Sequence, residues 1–125
     1  MRIENMFNLT NILGAAAQAT VVRDGVISNN IANVDTPGFK RSVVRFEDML
    51  AEAITDFQRT GRLDIANLRP QIMIEFDALN YRIDENNVDI EFEMVQLFQN
   101  NMRLNVITSG IMHHYRTINM AIQMM

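Results

Sequence analysis

The side chains best suited to chemistry in this sequence are two adjacent histidines, His113 and His114, and an acidic run, Asp84-Glu85-Asn86-Asn87-Val88-Asp89. Neighbouring helix positions diverge by about 100°, so the two imidazoles cannot reach one metal ion from the same face. Gly110, Thr117 and Ile118, one helical turn away, supply no further ligand. The acidic run fails as a calcium loop: counting from Asp84, Val88 takes the third ligand position and the turn glycine is missing. A solvated loop leading into a helix cap accounts for it better. No G-x-S-x-G, H-E-x-x-H or phosphate-cradling glycine loop occurs. Carboxylates are plentiful in the middle of the chain, but nothing pairs two of them for acid–base work. The absence of cysteine excludes disulfides, thiolate metal sites and cysteine catalysis. These residues point away from an enzyme, and to no cofactor and no metal.

The elements that carry these residues are organised by charge. Residues 5–34 hold only Arg23 and Asp24, and residues 94–125 only Arg103 and Arg116, whereas residues 41–86 hold six arginines and nine acids. The expected division is therefore an N-terminal helix and turn over 1–40, a charged insert over 41–86 and a C-terminal helix over 87–125. A net charge of −4 without a Lys/Arg cluster argues against nucleic acid, which needs a basic face. The uncharged stretch Asn5–Val22 is about long enough to span a bilayer. It carries Asn5, Asn8, Thr10, Asn11, Gln18 and Thr20, however, which are costly in hydrocarbon, so no direct membrane insertion is expected. It also lacks the layout of a cleaved signal peptide.

The C-terminal third has the strongest periodicity. Alternating steps of four and three from Ile90 reach Met94, Leu97, Asn101, Leu104, Thr108, Ile111, Tyr115, Ile118, Ile122 and Met125, and all but Asn101 and Thr108 are apolar or aromatic. This predicts a coiled-coil-type seam on a helix from about residue 88 to the end. Asp89, Glu91 and Glu93 suit the first turns, and Asn86 or Asn87 can cap. A second helix is expected from about Met6 to Ile31 or Ala32, with a weaker stripe through Leu13, Ala17, Thr20, Asp24, Ile27, Ile31 and Val34. Phe46–Phe57 reads as a short amphipathic helix. Ile72–Phe76 and Tyr81–Ile83 read as short strands that could form a hairpin around Asp77–Asn80.

The last helix has apolar residues beside its seam as well: Val95, Phe98, Met102, Val106, Ile107, Met112, Met120 and Met124. One partner helix cannot cover all of them. Either neighbouring subunits bury the remainder, or the chain closes into a compact bundle with Phe46–Phe57 as its third helix. The amides scattered through the helices, which suit register-setting polar contacts, favour the first arrangement modestly.

Between the first helix and the insert runs Ile27-Ser28-Asn29-Asn30-Ile31-Ala32-Asn33-Val34-Asp35-Thr36-Pro37-Gly38-Phe39-Lys40-Arg41. Thr36-Pro37-Gly38 has the chemistry of a type II turn, and Asn33 suits a left-handed helix end. As a string this segment resembles the N-terminal signature of bacterial flagellar axial proteins, carried by Asn29, Asn30, Ile31, Ala32, Asn33, Thr36, Pro37, Gly38 and Phe39. The length, and Leu79-Asn80-Tyr81-Arg82-Ile83 followed by Asn87-Val88-Asp89-Ile90-Glu91, resemble the small proximal members of the flagellar basal-body rod family. A glycine expected in the Glu85-Asn86-Asn87 loop is missing, which leaves that turn's geometry open.

The resemblance implies a mainly α fold: long terminal helices packed as an antiparallel, coiled-coil-like pair, with a small mixed insert of a short helix and a possible β-hairpin. It implies a structural rod subunit that polymerises into the hollow shaft carrying torque from rotor ring to hook. The assembly seam would run through Ile90, Met94, Leu97, Leu104, Ile111, Tyr115, Ile118 and Ile122. Implied partners are other copies of the chain, other rod proteins, the adaptor joining rod to membrane ring, and the flagellar type III export apparatus. Export by that route would place the protein in the periplasmic rod without a cleaved signal, and Phe46 with Leu50 resembles the spacing read by the export gate. The alternatives are a neighbouring small rod protein of the same family, and a non-flagellar helical adaptor that binds a partner helix.

Overall fold

The computed structural model describes residues 3–76 and 82–124, with side chains from residue 7 onward. The order of elements is α1 (Ile3–Ala32), β1 (Ser42–Arg45), α2 (Glu47–Thr60), β2 (Gln71–Ile74) and α3 (Ile90–Gln123). At about 1.5 Å per residue, α3 is on the order of 50 Å long. It runs antiparallel to α1: Asn30 meets Glu93, Thr20 meets Asn100, and Leu13 lies beside Gly110. The chain is therefore mainly α, two long helices packed together and a small mixed insert between them.

Each boundary has a local cause. Asp89 is the N-cap of α3, and its carboxylate accepts from the Glu91 and Phe92 amides. The expectation that Asn86 or Asn87 caps this helix is corrected: α3 starts later, and the Asp89 side chain at the N-cap accepts from two of its free amides. The short helix starts after Phe46 and ends at Gly61, whose φ of 72° allows the left-handed C-cap. Gly38 takes φ 71°, and the Phe39 amide donates to the Thr36 carbonyl at 3.3 Å, closing the Thr36-Pro37-Gly38 turn.

Two expectations change. The antiparallel sheet is present, but β2 pairs backward with β1, Ser42 opposite Ile74 and Arg45 opposite Gln71. Arg82 and Ile83 lie in a bend and turn instead of a strand, and Asp77–Tyr81 are outside the described residues. Asn33 is not left-handed; among the described residues Glu85 alone, at φ 62°, is a non-glycine with positive φ. The missing glycine therefore falls in the loop whose backbone adopts a glycine-like conformation, at a cost of about 1 kcal/mol or more.

The interior is inverted relative to an ordinary small domain. Among the described residues its apolar cluster joins Ala19, Phe46 and Leu68, with Ala15, Ala16, Leu50 and Ala53 packed against it, and Val26, Ile27 and Val88 are buried apart from it. The largest fully buried side chains are Glu93, Asn30, Asn86, Asn100 and Thr20. In the helix pair Asn100 donates to the Thr20 carbonyl at 2.9 Å, while its own Oδ1 has no partner. A buried unmet acceptor costs about 1–3 kcal/mol, so Asn100→Leu is expected to raise the melting temperature in a thermal denaturation series. A lower melting temperature would show that the amide contributes more than it costs.

Candidate functional site

The signature segment is built around two asparagines whose side chains replace backbone. Asn30 is fully buried and binds Ser42 at both ends: its Nδ2 donates to the Ser42 carbonyl at 2.8 Å and its Oδ1 accepts the Ser42 amide at 2.9 Å. The last turn of α1 thereby holds β1 as a neighbouring strand would. Asn33 donates to the Asn29 carbonyl at 2.8 Å and accepts from the Thr36 hydroxyl at 3.1 Å. Asn29, Ala32, Thr36, Pro37 and Gly38 face solvent, and Ile31 and Phe39 are half-buried.

The residues that hold this turn from outside come from the segment before α3. Asn86 directs Nδ2 at the carbonyls of Asn33, Val34 and Thr36, at 3.0, 3.0 and 2.8 Å. Its Oδ1 accepts the Val88 amide at 2.7 Å. These carbonyls lie in the turn just past the end of α1, and Arg82 also donates to that of Val34, at 2.7 Å. Asn87 accepts the Arg41 amide at 2.6 Å and donates to the Glu75 carbonyl at 2.8 Å, joining the residue before β1 to the residue after β2.

Beneath them lies one charged centre. Glu93 has no exposed surface; it accepts from Arg41 Nε at 2.7 Å and from Asn30 Nδ2 at 3.2 Å. Arg41 also pairs with Glu75 and stands 4.9 Å from the Phe92 ring centroid. Burial works against the Arg41 charge, but the hydrogen bonds it donates to Glu93 and Glu75, together with the charges of those two groups, outweigh it and raise its pKa. A second tie sits further along α1. Glu47 accepts from Arg23 at 2.6 Å and from Arg103 at 3.1 Å, joining α2 to both long helices. Burial pushes the Glu47 carboxyl up, yet its hydrogen bonds and the two arginine charges hold it below the usual range.

The eight seam residues divide between two faces. Leu97, Leu104, Ile111 and Ile118 are half-buried, whereas Ile90, Met94, Tyr115 and Ile122 are exposed. The positions that α3 buries beside the first group are Glu93, Asn100 and His114, with Ile107 half-buried between them, one residue before each expected alternate position. Apolar periodicity favoured Met94 and Tyr115 because it counts Glu93, Asn100 and His114 as polar. The detectable signal was their own seven-residue spacing. On the outside, Met94, Phe98, Met102 and Val106 form an i, i+4 ridge of exposed apolar side chains. On α1 the outward line includes Phe7, Gly14, Val21 and Gly25, and a Cβ added at either glycine would meet nothing within 4 Å.

Phe46 is 3% exposed, at the centre of the apolar cluster, with Leu50 packed on it. His114 is buried in the helix pair and His113 is exposed. No group of three or more His, Cys, Asp or Glu side chains that could hold a metal occurs among the described residues, nor any helix long and apolar enough to cross a membrane. What this arrangement offers is contact surface.

Residues 11–40 match the profile of a family described as "Flagella basal body rod protein". The flagellar basal body rod protein FlgB of Borrelia hermsii is 37% identical over 120 residues, covering 82% of this chain and 86% of that protein. Its namesake in Borreliella burgdorferi is 33% identical over 118 residues, with the same coverage of 82% and 86%. The Bacillus subtilis protein of that name is 35% identical over 107 residues, covering 80% and 78%.

Asn86 lies outside the matched segment but closes the turn within it. Asn86→Ala is expected to cost about 2 kcal/mol or more in urea unfolding, from three lost carbonyl contacts. A change below about 0.5 kcal/mol would mean that water replaces the amide at no cost.

Proposed function

The chain belongs to the flagellar basal body rod protein family, as a structural subunit and not an enzyme, and from that premise we propose how it assembles. Its α1–α3 pair packs beside the pairs of other copies and of other rod proteins around a central channel. The product is the proximal part of the hollow shaft that carries torque from rotor ring to hook. One observation carries this reading: the largest fully buried side chains are polar, while the outer face of α3 exposes the ridge Met94, Phe98, Met102 and Val106. A single chain has no use for that surface, whereas a packed wall of helices does. Gly14 and Gly25 support it further. Each costs its helix about 1 kcal/mol with no close contact among the described residues to account for it, and a neighbouring helix could approach closely there. Head-to-tail contacts between unlike faces produce open tubes.

On this reading residues 1–40 and 87–125 form the wall and residues 41–86 a bracket fixed at one end. Ile90, Met94, Tyr115 and Ile122 contact neighbours, whereas Leu97, Leu104, Ile111 and Ile118 hold the pair itself. The exposed part of the signature turn, Thr36-Pro37-Gly38, faces an adjoining subunit or the adaptor at the membrane ring. The setting is the periplasmic rod.

The test is a paired substitution on the outer ridge. Phe98 and Val106 are 68% and 70% exposed, so Phe98→Glu with Val106→Glu should leave helicity and melting temperature nearly unchanged. The same variant should fail to enter rods and abolish swimming. Full motility at normal protein levels would overturn the proposal.

Delivery is by the flagellar type III export apparatus, and burial of Phe46 places a condition on it. The gate can read Phe46 and Leu50 only before the insert folds. Phe46→Ala with Leu50→Ala should therefore block secretion of a chain still made in normal amount. Wild-type secretion of that variant would remove these two residues from the export step.

A further inference from the structure

Among the described residues no strand but β1 pairs with β2, so its outer edge is a second unsatisfied surface, separate from the helices. The Glu75 amide donates to the Arg41 carbonyl at 2.9 Å, and Met73 stands opposite Val43. Antiparallel alternation then turns the backbone groups of Gln71, Met73 and Glu75 toward β1, and those of Ile72 and Ile74 outward. Ile72, Ile74 and Phe76 on one face and Met73 on the other are all exposed, so the strand is uncovered on both faces and apolar throughout on one. Two-stranded sheets are marginal in water, and soluble proteins rarely leave such an edge without a lysine, a bulge or a covering segment.

We propose that β2 pairs edge to edge with β2 of a second copy, antiparallel and centred on Met73. The strand is complementary to itself in that register. Ile72 meets the partner's Ile74, so outward-pointing backbone groups face each other and each such pair exchanges two hydrogen bonds. Gln71 stands opposite the partner's Glu75, an amide donor against a carboxylate. Moving the two-fold axis by half a residue would set outward-pointing groups against inward-pointing ones. Pro70, with no N–H to give, ends the ladder. The contact is isologous and closes on itself, so it does not lengthen a tube and does not rest on the rod contacts proposed above. A patch this short binds weakly, which makes covalent trapping the proper readout.

The natural absence of cysteine makes the test clean. In the proposed register Met73 faces its own copy as a non-hydrogen-bonded pair, with Cα atoms about 4.5 Å apart, within disulfide range. Under mild oxidation Met73→Cys should form a disulfide dimer at least about tenfold faster than Ile72→Cys or Ile74→Cys alone, since only position 73 is self-facing. The double variant Ile72→Cys with Ile74→Cys sets thiols opposite one another on the other face and should also be trapped. It keeps the test alive should Met73→Cys alter the fold seen by circular dichroism. Equal trapping at all three single positions, fastest trapping at Ile74→Cys, or no trapping in any variant overturns the proposal. None of these results bears on whether Phe98→Glu with Val106→Glu abolishes motility.

Discussion

A carboxylate with no access to water is tolerable only where the protein supplies donors, and the placement of the whole insert follows from how Glu93 meets that need. Its two oxygens take a guanidinium from just before β1 and an amide from the last turn of α1. Removing one partner of such a buried pair typically costs about 3–5 kcal/mol, so the three segments are joined as a unit. Arg41 extends the unit to Glu75 after β2, and Asn30 extends it to Ser42. Asn87 adds the segment entering α3. One acid on α3 thus determines where β1 sits, and β1 determines where β2 is offered to the outside.

The same economy explains the inverted distribution of side chains. Alanines at positions 15, 16 and 19 let the insert approach α1, and they leave room only for Phe46, Leu50 and Leu68 as bulky apolar contacts. Between the long helices, buried positions fall on Glu93, Asn100 and His114. Polar groups define direction and register more strictly than leucines, at some loss of stability. The apolar residues released from the interior appear on the outer faces, where they remain available for contacts between subunits.

Much of this was legible in the sequence, and the failures share one cause. The two long helices, the short amphipathic helix and the Thr36-Pro37-Gly38 turn depend on local spacing and local chemistry, and each was read correctly. Within the helix pair the buried positions are Glu93 and His114, one residue before Met94 and Tyr115 of the expected repeat, which face outward. Hydrophobic counting cannot know that Glu93 will find Asn30 and Arg41, more than fifty residues away. Asn33 was expected to close α1 by turning left-handed, but the carbonyls there are satisfied by Asn86 from a distant segment. β1 is four residues long, too short to show a period, and exists because Asn30 and β2 flank it. Of the candidate site, the signature asparagines were visible, whereas the long-range contacts made by Asn86, Asn87, Arg41 and Glu93 were not.

The exposed ridge on α3 has a thermodynamic consequence for a single subunit. A surface buried only on incorporation stabilises the folded chain by mass action, increasing with the local abundance of its binding partners. Folding and incorporation then become one coupled equilibrium. Resistance to heat or denaturant measured on dilute protein would describe the chain in isolation, while the same chain set among neighbours would be a harder object. Durability, in such a design, belongs to the neighbourhood more than to the molecule.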